Sequence, residues 1–139
     1  RRTRFATVLD YGCGDGYTGE RVQDAFGVPH LMAVDVHLPE VSCGVARRGA
    51  GTVERSRDSR ALRDRRFDLI LLCDVIEHVE DDVGLLSQLR GDHLAPDGLV
   101  MVTVPAFQAL FSNHDRFLRH HPNVERLSHG RYRWMQAAA

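Results

Sequence analysis

The sequence predicts an α/β domain: an open, mainly parallel sheet with helices on both faces. Three observations carry this prediction. Apolar segments of strand length recur at residues 7–9, 31–34, 67–72 and 99–104. The last two are nearly continuous rather than alternating, as a parallel strand covered on both faces requires. Segments with helical spacing separate them, and strand followed by helix, repeated, is the pattern of layered α/β folds.

Taken in order, the first strand runs into a glycine-dense turn, Asp10-Tyr11-Gly12-Cys13-Gly14-Asp15-Gly16. The helix expected after it, from Gly19 to Phe26, sets Val22, Ala25 and Phe26 on one side. The second strand ends at Asp35. The stretch from Glu40 to Arg66, interrupted by Gly44, Gly49 and Gly51, reads as a short helix, a short strand at residues 52–54 and a helical turn near Ala61. The next strand delivers Asp74, Glu77 and His78 just beyond its end. A helix over residues 81–94 follows, capped by Asp81 or Asp82, with Val83, Leu86 and Leu89 on one face and Leu85 alongside. Ala95-Pro96-Asp97-Gly98 is a turn leading into the fifth strand.

Composition bounds the function. With 139 residues, 43% hydrophobic, the chain suits one domain with one core. Its 18 basic residues, all arginine, nearly balance 19 acidic ones for a net charge of -1. No global field exists to hold a polyanion, which disfavours a general nucleic-acid or membrane-surface binder. The absence of lysine excludes Schiff-base chemistry and the lysine of a phosphate-binding P-loop. Cys13, Cys43 and Cys73 form no C-x-x-C pair, so a reduced, cytoplasmic setting is expected. The longest apolar run, residues 69–73, is far below the roughly 20 residues of a membrane span, and no targeting segment is read.

The glycine turn carries most of the functional information. Glycines at alternate positions permit positive φ and let a ligand lie against the main chain beside a helix N-terminus. Gly14-x-Gly16-x-x-Gly19 satisfies the dinucleotide fingerprint, and Asp35 falls where a ribose-binding acid belongs. Charge argues against a dinucleotide. The turn carries Asp10 and Asp15, and no arginine lies between Arg4 and Arg21, so a pyrophosphate would be repelled. A cofactor with an ammonium and a sulfonium would find the same acids favourable. The fitting register is then Asp10-x-Gly12-x-Gly14-x-Gly16.

That register resembles the first motif of the class I S-adenosylmethionine-dependent methyltransferases, and later segments follow the same family in order. Ala33-Val34-Asp35 is similar to its second motif. The string from Phe67 to Val79, ending Asp74-Val75-Ile76-Glu77-His78, resembles the fourth strand of the bacterial type 11 and type 12 groups. Leu94-Ala95-Pro96-Asp97-Gly98 resembles the lead into their fifth strand, with Asp97 replacing a glycine.

The resemblance implies a Rossmann-like sheet with its five strands in the order 3-2-1-4-5, and residues 1–139 as a single S-adenosylmethionine-binding methyltransferase domain. It implies S-adenosyl-L-methionine as cofactor, with S-adenosyl-L-homocysteine as product and a small-molecule methyl acceptor as partner. Asp10, Gly12, Cys13, Gly14 and Gly16 would form the cofactor loop, and Asp35 would bind the ribose hydroxyls with Val36 beside it. Asp58 would approach the adenine amino group, while Cys73, Asp74 and His78 would line the methionine end.

In the loop after the fifth strand, Phe107, Phe111 and His114 would face the acceptor, and His114 has the intrinsic pKa of a general base. The chain is short at both ends relative to the family pattern, so the terminal strands are expected to be missing. Three rivals are weighed against this reading: a metal-dependent RNA 3′-end methyltransferase using Asp74, Glu77, His78 and His114, a truncated non-catalytic cofactor-binding module, and a nicotinamide dehydrogenase. No metal is expected, and Glu77 with His78 reads as a hydrogen-bonded pair at a helix entry.

Overall fold

The computed structural model describes residues 5–104. Along the chain these form β1 (Thr7–Tyr11), α1 (Tyr17–Phe26), β2 (His30–Val34), β3 (Gly44–Arg48), β4 (Gly51–Ser56), β5 (Phe67–Cys73), α2 (Asp82–Gln88) and β6 (Leu94–Thr103). The six strands make one sheet in the order β3-β4-β2-β1-β5-β6. Every pairing is parallel except β3 with β4. With β3 set aside, this is the order expected for the five strands of the sequence reading.

Alternation along the strands divides the core between the two faces. Leu9, Met32, Ile70 and Leu72 point to the side carrying α2, where Leu86 and Leu89 meet them. Val8, Leu31, Val53, Leu69 and Leu71 point to the opposite side, where Val22 of α1 packs. β5 therefore looks continuously apolar because both of its faces are covered. Each fully buried aliphatic side chain contributes about 1.5–3 kcal/mol, so the central strands hold most of the stability.

β3 was not expected, and it forms where the sequence suggests only interrupted helix. Gly-Val-Ala-Arg-Arg is exposed along nearly its whole length and carries no burial pattern. It exists because Gly49, at φ 58, starts a turn that folds it back on β4, with Arg48 opposite Gly51. Both helices differ in detail from expectation. In α1 the buried positions are Gly19 and Gln23 with Val22 half-buried, while Ala25 is exposed and Phe26 is 51% exposed with its ring edge-on to Phe5.

α2 is capped by Asp81, whose Oδ1 accepts from the Gly84 N–H at 2.9 Å. It buries Asp82 and Leu86 but leaves Val83 48% exposed, and at Gln88 it passes into a wider π-type turn over Leu89–His93. The expected turn around Pro96 survives as a bulge in β6. Phe67 pairs with Leu94 and Leu69 with Leu99, so three extra residues loop out. Asp97 takes φ 63 there, a conformation that explains why glycine suits this position.

Candidate active site

The carboxyl ends of β1, β2, β4 and β5 lie along one edge of the sheet, and nearly all sequence-predicted site residues in the described region lie there. The glycine turn leaves β1 and enters α1. Gly12, Gly14 and Gly16 all have positive φ, at 73, 55 and 87. At Gly12 space is also limiting, because a Cβ would sit 2.5 Å from Val75 Cγ2. At Gly14 no atom lies within 4 Å of that position, so the turn is open on this side.

Most donors of the turn are spent on the protein itself. Gly12 and Cys13 both donate to the Val34 carbonyl, at 2.8 and 3.2 Å, and Gly16 donates to the Cys13 carbonyl at 2.8 Å. The Gly14 N–H donates to Asp35 Oδ2 at 2.8 Å, and the Tyr17 N–H to Asp15 Oδ1 at 3.0 Å. A pyrophosphate needs several such amides free and aimed at it. Here five of them are bound, and the carboxylates of Asp10, Asp15 and Asp35 gather around them, with the one nearby guanidinium, Arg55, paired to Glu20.

Asp10 is buried beneath α1, and its Oδ2 accepts from the Gly19 N–H at 2.9 Å. A Cβ on residue 19 would fall 2.6 Å from that oxygen, so Gly19 is glycine to admit the carboxylate. Burial pushes the Asp10 carboxyl up to about 6, with further repulsion from Asp35 and Asp15. Asp35 is half-buried at the end of β2, its Oδ1 accepting from the His37 N–H at 2.8 Å. Each of its oxygens keeps a second lone-pair direction. Beside it, Val36 is 64% exposed, an apolar surface at the site's margin.

Cys13 turns its side chain inward against Ala33 and Leu38, and burial pushes its thiol up to about 12. Its contribution to the turn is therefore main-chain. Cys73, at the end of β5, is likewise pushed up to about 11 by burial and by Asp10. Asp74 takes φ 54, donates its N–H to the Thr103 carbonyl at 3.1 Å, and accepts from Thr103 Oγ1 at 3.3 Å. In the 3₁₀ turn that follows, Ile76–His78, Glu77 is buried and His78 exposed.

Asp58 begins the 3₁₀ turn Ser59–Leu62. Its carboxylate accepts from the Arg60 N–H at 2.8 Å and from Arg60 Nε at 2.6 Å, and this guanidinium holds the carboxyl below its ordinary range. Asp58 thus lies at the same edge of the sheet as the glycine turn but spends its charge locally. His114, Phe107 and Phe111 lie outside the described residues. Among the described residues, no group of three His, Cys, Asp or Glu side chains forms a metal-ion site.

Several neighbours of the turn are invisible in linear sequence. Val75 packs on Gly12, and Thr103 tethers Asp74 across the β5–β6 pair. Arg55 of β4 brings a guanidinium beside Gly16, paired with Glu20 of α1. Nothing within a local window signals that pairing, which spans 35 positions.

An open, mainly parallel sheet with an acid-lined glycine turn and a second acid at the end of the neighbouring strand is the arrangement of the class I, Rossmann-like methyltransferases. A family model described as "Methyltransferase domain" matches residues 1–138, and the chain belongs to that family. It is 31% identical over 140 residues to the ubiquinone biosynthesis O-methyltransferase of Azorhizobium caulinodans, covering 91% of this chain and 51% of that protein. It is 28% identical over 109 residues to phosphoethanolamine N-methyltransferase 2 of Caenorhabditis elegans, covering 70% of this chain and 23% of that protein. The chain thus spans about half of the first and under a quarter of the second. The solved structure of PKMT2 from Rickettsia typhi shares the fold, with a TM-score of 0.53 and 21% identity over 76% of this chain and 22% of that one. No helix among the described residues is long and apolar enough to cross a membrane.

Proposed function

We propose that this chain binds S-adenosylmethionine at the carboxyl edge of the sheet and serves methyl transfer to a small-molecule oxygen, nitrogen or carbon nucleophile. When bound, the donor would supply an electrophilic methyl on a sulfonium, whose carbon–sulfur bond would break as the acceptor–carbon bond formed, with S-adenosylhomocysteine as the leaving group. The protein's task is alignment and exclusion of water rather than strong base chemistry. Gly12, Cys13, Gly14 and Gly16 supply a preshaped turn whose main chain can be approached closely. Asp35 has the free lone pairs to accept from ribose hydroxyls, and the exposed Val36 offers an apolar contact for the base. Asp58 is the candidate for the adenine amino group, in exchange for its bond to Arg60. Asp10 holds the turn to α1 through Gly19, while the main chain around Cys73 and Asp74, with His78, would border the amino-acid end. His114 is the proposed base where the acceptor needs one.

The observation that carries this reading is the combination of bound turn amides and surrounding acids, which disfavours a phosphate and favours a cationic guest. The names of the relatives, one acting in ubiquinone biosynthesis and one on phosphoethanolamine, support small acceptors. Calorimetry on the whole chain with S-adenosylhomocysteine and with NADH tests the choice of ligand. Asp35→Asn is expected to weaken S-adenosylhomocysteine binding about tenfold, as loss of a charged hydrogen-bond acceptor costs about 1.5 kcal/mol. Tighter binding of NADH than of S-adenosylhomocysteine would overturn the reading. Formation of S-adenosylhomocysteine from the donor in the presence of phenolic or amino-alcohol acceptors tests turnover separately.

A further inference from the structure

Beside the glycine turn lies a network of four charged side chains from three elements. Glu20 and Asp24 project from α1, Arg48 from β3 and Arg55 from β4. Arg55 pairs with Glu20, and Arg48 pairs with Asp24 and donates its Nε to Glu20 at 3.0 Å. The Arg55 and Glu20 side chains are only 20% and 26% exposed. Both reach the turn, since Arg55 Nε and Glu20 Oε1 each lie 3.8 Å from where a Gly16 Cβ would stand. The turn itself gathers Asp10, Asp15 and Asp35.

We infer that Glu20 is a specificity-determining positioning residue, which masks Arg55 and so keeps the glycine turn selective for a cationic ligand. A bare guanidinium next to Gly16 would offset one of the three acids and admit anionic groups. Paired with Glu20, it adds no net charge. Glu20 can do this without loosening Arg48, which retains Asp24. The masking depends on the hairpin, because β4 carries Arg55 and β3 carries the Arg48 that completes the set. The inference rests on the proposed methyl-donor site.

The test compares ligands of graded charge: S-adenosylmethionine, with one net positive charge, S-adenosylhomocysteine, with none, and adenosine, which has no ionised group. Dissociation constants are measured by calorimetry on the full chain at low and high salt, with unfolding midpoints recorded alongside. Glu20→Gln is expected to weaken S-adenosylmethionine about three- to tenfold at low salt, as one unmasked charge near a cationic ligand, partly screened by solvent, would. Adenosine binding stays unchanged and S-adenosylhomocysteine changes less. Arg55→Gln, which bares Glu20 instead, shifts the ratio of S-adenosylmethionine to S-adenosylhomocysteine affinity in the opposite direction, and the double variant restores it. Equal weakening of all three ligands, or shifts of the same sign in both single variants, overturns the inference while leaving the donor site standing. If Glu20→Gln does not fold, the sign of the Arg55→Gln shift decides. Failure of the unaltered chain to bind either S-adenosylmethionine or S-adenosylhomocysteine overturns the functional reading and this inference with it.

Discussion

Replacing Asp10 by asparagine tests the electrostatic cost of the site. Asp10 is 1% exposed, and its carboxyl is raised from 3.8 to about 6 by burial, then by repulsion from Asp35 and Asp15. A carboxyl with a folded-state pKa above its unfolded value opposes folding once it ionises. The penalty is absent below about pH 4, grows as pH rises towards about 6, and is fully present above that. A difference of roughly two, at about 1.4 kcal/mol for each, sets the penalty near 3 kcal/mol. Asparagine keeps an oxygen to accept from Gly19 and removes the charge. Asp10→Asn is therefore expected to be more stable than the unaltered protein by about 2–3 kcal/mol near pH 8, the gain shrinking towards zero near pH 4. Urea unfolding followed by circular dichroism across that range measures it. A difference that does not vary with pH, or an asparagine variant less stable throughout, would refute the argument.

Three substitutions test the backbone reasoning. Gly12→Ala combines φ 73 with a 2.5 Å clash against Val75 Cγ2, and is expected to cost about 2–3 kcal/mol. Gly14→Ala meets strain but open space and should cost about 1 kcal/mol. Adding Val75→Ala should recover part of the first loss and none of the second in the same unfolding assay. Asp97→Gly relieves a left-handed non-glycine residue at φ 63 on the exposed β6 bulge, and is expected to raise stability by about 0.5–1 kcal/mol, read as a higher melting temperature.

The central sheet was legible because burial writes itself into composition. β5 declares its two covered faces as an unbroken apolar run, and the Asp10 to Gly16 spacing declares a strand turning into a helix. β3 left no such trace, since an edge strand exposed on both sides has no hydrophobic period to read. Val83 and Ala25 look like core residues in a helical count and lie outside it, because tertiary packing turned each helix to bury Asp82 with Leu86, or Gly19 with Gln23, instead. At the site, the identity of the acids was readable and their partners were not. Gly19 looks in sequence like the third glycine of a dinucleotide loop; in the structure it makes room for Asp10. The masking of Arg55 by Glu20 depends on strand order, and no local pattern encodes that.

Most amides of the turn between β1 and α1 are already bonded within the protein. If this turn is the binding loop proposed above, hydrogen bonds that already close on Val34, Asp35 and Cys13 leave it little conformational freedom to surrender. Less of the guest's affinity is then consumed in ordering the host, and more can be directed to holding one reactive atom in line. Selectivity in such a cradle comes from the charges at its rim, while its shape stays the same for every visitor.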